Sequence, residues 1–211
     1  MSTIDFIKHF PVRTFTKGEQ LLGEGDVADS VLAIQTGFIK ISSLNNDGSE
    51  RLLWIAGRYD LAPTEELFSP RGKINFYYTA LTAGSAYVIN KKDFIAYAKQ
   101  SPELMLEIAT NMSAHYDDLL RRLNSVEQTA IKNKLLHTLS YLAERFSADS
   151  NVDLYKLGLK LTHQDIADMV GATRETTSIE LQKIRALGLI SYDRSSLVIH
   201  VDAINDEIHR A

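Results

Sequence analysis

The chain is 211 residues long, 45% hydrophobic and 24% charged, with a formal net charge of −4 and no cysteine. The length allows one large domain or two small ones with a real core, and the missing cysteines exclude disulfides, thiolate metal sites and cysteine nucleophiles. No apolar run approaches the roughly 20 residues of a membrane span, and Met1-Ser2-Thr3-Ile4-Asp5 lacks the build of a secretory signal, so a soluble cytoplasmic protein is expected.

Residues 1–100 read as short strands between turns. Apolar clusters stand at Val31-Leu32-Ala33-Ile34, Phe38-Ile39-Lys40-Ile41, Leu52-Leu53-Trp54-Ile55 and Tyr87-Val88-Ile89. From Ile74, apolar Phe76, Tyr78 and Ala80 alternate with Asn75, Tyr77 and Thr79, the period-2 pattern of a strand. Turn residues at Lys17-Gly18, Gly23-Glu24-Gly25-Asp26, Thr36-Gly37, Asn45-Asn46-Asp47-Gly48 and Ala56-Gly57 separate the runs. The spacing predicts an all-β barrel or roll.

The texture changes near residue 90. Lys92 to Ala98 reads as a short helix, broken at Ser101-Pro102. Pro102 then opens a longer helix, where its missing N–H costs little. Met105, Ile108, Met112, His115, Leu119 and Val126 form a narrow stripe along it, either a coiled-coil seam or a helix face on a core. From Pro102 to Leu123 this helix is about 33 Å long, and Leu120 and Leu123 broaden its stripe, which suits dimerisation. His115 on the seam reads as a residue fixing helix register, with a haem ligand or a pH-sensitive group as the alternatives. Asn124-Ser125 predicts a hinge. A second helix follows from about Glu127 to Phe146 with Ile131, Leu135, Leu136, Leu139 and Leu142 as its stripe, and Ser147 to Asn151 reads as a polar loop. Three regions result: a roll over 1–100, a dimerisation helix and hinge over 101–125, and a last module over 126–211.

The last module holds the most informative segment. Thr162 and Asp165 make a capping box, Ile166 and Val170 give an inner face, Gly171 closes a tight turn, Thr173 caps the next helix and Gly188 ends it. Two short helices about such a turn are a helix-turn-helix. Leu189 to Tyr192 and Leu197 to Val201, flanking Asp193-Arg194-Ser195-Ser196, read as a β-hairpin wing. The second helix turns Arg174, Ser178, Gln182 and Arg185 outward. Residues 174–194 carry four basic and three acidic side chains, so attraction for phosphate has to come from placement, aided by helix N-termini at Thr162 and Thr173. The plain alternative is a small helical domain whose glycine merely closes a turn.

Taken together, these features resemble a Crp/Fnr-type bacterial transcription regulator. The match rests on Thr162 to Val170, Gly171, Thr173-Arg174-Glu175-Thr176 and Gly188-Leu189-Ile190, and on the roll turns Lys17-Gly18-Glu19, Glu24-Gly25-Asp26, Gly37, Asp47-Gly48 and Gly57. It implies an α+β fold: an N-terminal double-stranded β-helix (a jelly-roll-like β-roll), a long dimerisation helix and a C-terminal winged helix-turn-helix. The partners it implies are double-stranded DNA and a second copy of the chain, with RNA polymerase and an unidentified small-molecule effector as further candidates; no cofactor, metal or catalytic residue is expected. Arg174 and Glu175 match the base-reading pair of the family's recognition helix, while Ile179 replaces its later arginine and either meets a thymine methyl or packs inward. Thr162, His163, Gln164, Thr173 and Thr176 match its phosphate-contacting positions, and Ser178, Gln182, Lys183 and wing-tip Arg194 complete the candidate DNA-binding set. Met105, Ile108, Met112, His115, Leu119 and Val126 are the candidate dimer contacts.

The sensor half departs from the resemblance. Asp60-Leu61-Ala62-Pro63 and Ile74-Asn75-Phe76 stand where the family's cyclic-nucleotide pocket has a Gly-Glu-Leu run and an Arg-Ser pair, so a cyclic phosphate would lack its arginine. Response to cyclic AMP is not expected. Arg58, Arg71 and Lys73 flank this region as anion-attracting or merely solvated charges, and Trp54, Phe76, Tyr77 and Tyr78 are either pocket lining or core. A roll that binds a ligand or protein, with the winged helix serving as an interaction module, is the alternative function.

Overall fold

The computed structural model describes residues 6–63, 65, 66, 68, 69, 72–151, 154–194 and 196–210. Arg71 and Ser195, both named from the sequence, therefore lie outside the described residues. The chain divides into two compact units, Met1–Ser113 and Ala114–Ala211.

The first unit contains β1 (Val12–Phe15), β2 (Gln20–Leu22), β3 (Ser30–Thr36), β4 (Ile39–Leu44), β5 (Glu50–Ala56), β6 (Leu61–Ala62), β7 (Tyr77–Ala80), β8 (Gly84–Asn90) and α1 (Lys91–Ala98). Two antiparallel sheets form, in the orders β1-β8-β3-β6 and β2-β7-β4-β5. Alternation along β3 explains how they are used. Leu32 and Ile34 join Ile39, Ile41, Tyr78 and Ala86 in the core of the roll. Val31 and Ala33, on the opposite face, join Ile89 and helical residues Phe94, Leu104 and Ile108 in a second cluster. The sheet is thus apolar on both faces, as a strand buried on two sides must be. Close approach of β3 to β8 requires glycine: a Cβ on Gly84 would stand 2.2 Å from the Thr36 carbonyl oxygen. Asn90 caps α1 by accepting from Lys92 N–H.

Helix α2 (Pro102–Glu127) begins in the first unit and ends in the second. Pro102 opens it as expected, but it does not stop at Asn124-Ser125. Ser125 is 3% exposed, and its hydroxyl donates to the Lys134 carbonyl oxygen at 3.1 Å. A polar residue with such a bond belongs to the helix packing, so the break falls at 128–130 and α3 spans Ile131–Phe146.

In the second unit α3 buries Leu135, Leu136, Leu139 and Leu142 completely, each worth about 1.5–3 kcal/mol when taken from water. Around it lie β9 (Ser147–Asn151), β10 (Leu154–Leu157), α4 (His163–Val170), α5 (Arg174–Ala186), β11 (Ile190–Asp193), β12 (Ser196–His200) and α6 (Val201–Arg210). The sheet order is β11-β12-β10-β9. Residues 147–151, expected as a polar loop, are an edge strand paired antiparallel with β10. Among the described residues, no helix is long and apolar enough to cross a membrane.

Candidate nucleic-acid interface

The turn between α4 and α5 is built from local chemistry. Thr162 accepts from Asp165 N–H, while the Asp165 carboxylate accepts from Thr162 N–H at 2.8 Å and from its hydroxyl at 2.6 Å. This reciprocal pair fixes where α4 begins. Gly171 ends the helix in the left-handed region at φ 68°, ψ 46°, and its N–H bonds the Ala167 carbonyl. Thr173 then caps α5 by accepting from Thr176 N–H, which leaves the first N–H groups of that helix for an external acceptor. Ile166, Ala167 and Val170 of α4 and Thr177, Leu181 and Ile184 of α5 are buried.

What remains outside is the opposite face of α5. Arg174, Glu175, Ile179, Gln182, Lys183 and Arg185 are exposed. Ile179 is 48% exposed, so it does not pack into the fold, and the inward alternative is removed. Arg174 and Glu175 have no side-chain partner among the described residues. Lys183 is less available: its ammonium pairs with Glu180 at 2.6 Å, one turn back. Arg185 lies over the Tyr192 ring of β11, 5.6 Å from its centroid. Burial raises the Tyr192 phenol above its ordinary value, with Arg185 opposing the shift. This contact joins recognition face to wing and has no signal in sequence, because Arg185 and Tyr192 share no motif.

His163 ties the two helices together. Ser178 spends its hydroxyl proton on the Arg174 carbonyl at 2.8 Å, and its oxygen meets His163 Nδ1 at 2.8 Å. One proton cannot serve both bonds, so with the hydroxyl proton on the Arg174 carbonyl the His163 Nδ1–H is the donor to Ser178. Gln164 bonds Asp168 at 2.7 Å, and the Thr173 and Thr176 hydroxyls lie 2.9 Å apart. At the wing tip Arg194 takes φ 47° and is exposed, beside an Asp193 already paired with Lys156 at 2.5 Å. Of the positions named from sequence, His163 thus meets Ser178 and Thr173 meets Thr176, while Arg185 over Tyr192 links α5 to the wing.

The candidate dimer stripe separates into two sets. Met105, Met112 and Leu119 are exposed, together with Tyr116, Leu120 and Leu123. Ile108 is not part of that face. It is 3% exposed within the second core cluster of the first unit, because its helical phase points at Leu104 and Phe94 rather than outward. His115 is half-buried, with Nε2 3.3 Å from the Arg145 guanidinium, and Val126 is half-buried. Periodicity picked out the helix but merged an inner and an outer row.

Inside the roll the charge is opposite to what a phosphate needs. Ile74 is buried in the core. Glu66 is 2% exposed, and one of its carboxylate oxygens accepts from the Asn75 amide. The Tyr78 hydroxyl donates to Glu65, and Lys91 donates to the Glu66 carbonyl oxygen. Burial pushes the Tyr78 phenol far above its ordinary range, and Glu65 adds to the shift.

Comparison with known proteins agrees with this division. Residues 12–101 match the family described as the cyclic nucleotide-binding domain, and residues 133–203 match the Crp-like helix-turn-helix domain. The anaerobic regulatory protein of Bacillus subtilis is 28% identical over 187 residues, 89% of this chain and 78% of that one. The CRP-like cAMP-activated global transcriptional regulator of Mycobacterium tuberculosis is 26% identical over 185 residues, 88% and 82% of the two chains. Among solved structures, FixK2 from Bradyrhizobium japonicum superimposes with a TM-score of 0.78 at 14% identity, covering 93% of this chain and 96% of that chain. The c-di-GMP responsive regulator CLP of Xanthomonas campestris gives 0.77 at 20% identity over 94% and 98%. At these identities the superpositions speak for the fold alone.

Proposed function

The chain belongs to the Crp/Fnr-type transcription regulators, and on that premise we propose that it is a cytoplasmic homodimer that reads an inverted-repeat DNA site and has no enzymatic activity. The observation that carries this reading is the outer face of α5. Arg174 and Glu175 stand exposed and unpartnered at the start of a capped helix, with Ile179 one turn on. In a major groove, Arg174 bonds guanine O6 and N7, Glu175 accepts from cytosine N4 and Ile179 meets a thymine methyl. Thr162, His163, Gln164, Thr173 and Thr176 lie where phosphates flank that groove, and Arg194 reaches backbone from the wing. Gln182 extends the reading face. Lys183 contributes less, since its charge is offset by Glu180.

Met105, Met112, Tyr116, Leu119, Leu120 and Leu123 supply the dimer face of α2. Pairing there sets the two recognition helices about 34 Å apart, one turn of duplex. Cyclic AMP is not the effector in this reading, because buried Ile74 stands where the resemblance puts the phosphate-gripping arginine and the buried Glu66 carboxylate repels a phosphate.

The test is selection from random duplex DNA with purified protein and no added ligand, followed by titration of the selected site against salt. An enriched inverted repeat, with affinity falling steeply as salt rises, is the expected result. No enrichment from a folded dimer refutes reading without an effector and leaves either an effector requirement or the interaction-module alternative, of which weak salt dependence of DNA binding favours the second.

A further inference from the structure

We propose that the first unit carries a small-molecule site outside the interior of the roll, one that takes an organic monoanion with an apolar body. A cavity of about 340 Å³ opens between residues 7–8, β3, the turn after β5 and α2, a volume within the range of roughly 300–1,000 Å³ typical of ligand sites. Its floor is apolar where buried Ala33 and Ile7 of the second cluster line it; Ile34 also borders it, with its side chain turned to the roll core on the other face of β3. A smaller cavity adjoins it, sharing Ile7, Tyr59 and Glu107 and extending the apolar floor over Phe94 and Leu104.

The rim is where the chemistry lies. Lys8 and Arg58 both line the cavity, and neither has a carboxylate partner among the described residues. Tyr87 contributes a third donor: its phenolic oxygen accepts from Gln35 Nε2 at 3.3 Å, which leaves its own O–H to donate. Gln35 is itself held, accepting from the Ser85 hydroxyl at 3.0 Å. Two cations and a hydroxyl at the mouth of an apolar cleft select an anionic head on an apolar body. Glu107 on the same rim repels a second negative charge, which favours a carboxylate over a phosphate or a nucleotide.

Tyr59 supplies a separate line of support. It takes φ 74°, a left-handed conformation that a bulky side chain rarely adopts. The backbone is held there by Tyr59 N–H to the Ile34 carbonyl and Asp60 N–H to the Gly57 carbonyl, both at 3.0 Å. The ring, 66% exposed, gains little from burial in return. It lines both cavities, with the Arg58 guanidinium 4.7 Å from its centroid. A conformation suited to glycine but occupied by an exposed tyrosine points to a use for the ring, and here that use is to wall the cleft and orient Arg58.

The test uses the full chain and sodium octanoate, read by calorimetry and by amide chemical shifts, with octanol and inorganic phosphate as comparison ligands. Saturable octanoate binding at one site per chain is expected, with shifts at Ala33, Ile34 and Tyr87 and about tenfold weaker binding of octanol, which lacks the charge-assisted bonds. The double variant Lys8→Ala/Arg58→Ala loses about tenfold in octanoate affinity at an unchanged melting temperature, since both side chains are exposed. Tyr59→Gly melts at the same temperature or higher, because glycine suits that φ, yet binds octanoate more weakly. No saturable binding up to millimolar octanoate, equal binding of octanol or of phosphate, or binding unaltered in the variants overturns the proposal. So does a fall in melting temperature of Tyr59→Gly with binding intact, which makes the ring a packing group. None of these readouts involves DNA, so failure here leaves the DNA-binding reading untouched.

Discussion

Arg174 and Thr177 sit three residues apart on α5 and show how one helix divides its work. The Arg174 side chain is exposed and has no partner among the described residues, so its replacement removes little from the fold. Arg174→Ala is expected to weaken binding to a selected duplex by about 1–3 kcal/mol and to leave non-specific binding nearly unchanged, if the guanidinium reads a base. Parallel titrations of selected and scrambled DNA check this, and an equal loss on both makes Arg174 a phosphate contact. Thr177 faces the other way. It is completely buried and its hydroxyl has no hydrogen-bond partner among the described residues, a desolvation cost of about 1–3 kcal/mol. Valine has the same branched shape without the hydroxyl. Thr177→Val should therefore raise stability by about 1 kcal/mol in urea unfolding, and any destabilisation would mean that the hydroxyl is satisfied in solution.

At the scale of elements, the turn between α4 and α5 depends on backbone conformation as much as on contacts. Gly171 at φ 68° closes α4, and an alanine there is strained by roughly 1–2 kcal/mol. Gly171→Ala is thus expected to lower the melting temperature of the second unit by several degrees, at about 4–8 °C per kcal/mol, as read by calorimetry. Gly188, at φ 74° with nothing within 4 Å of a built Cβ, gives a comparison in which only the backbone term acts. These elements were legible in sequence because caps and turn glycines are local: Thr162, Asp165, Gly171 and Thr173 act on neighbours within a few residues. What was not legible was tertiary. Ser-Ala-Asp-Ser-Asn at 147–151 has no apolar alternation and becomes β9 only because β10 offers its backbone. Ser125 looks like a hinge residue until Lys134 is seen to accept from it. Ile108 carries the same apolar signal as Met105 and Met112, and only the packed Phe94 and Leu104 show that it faces inward.

That distinction between inner and outer rows bears on the dimer proposed for the whole molecule. Met112 and Leu119 are 43% and 52% exposed, so a charge at either position costs the isolated chain little. In a dimer each would be buried against its counterpart, where an unpaired carboxylate is expensive. Met112→Asp with Leu119→Asp should therefore yield a folded monomer in sedimentation velocity, with the melting of each unit preserved. Ile108→Asp behaves differently, because it places a charge in the core of the first unit and unfolds it. An intact dimer from the double variant would move the interface to another surface. The same monomer also isolates what pairing contributes on DNA. One recognition helix neutralises fewer phosphates than two, so the monomer's affinity should fall less steeply with salt than the dimer's. A second helix tethered at a fixed spacing adds the other half-site without a second encounter, and that is the gain an inverted repeat, rather than a single half-site, offers to a dimer built on α2.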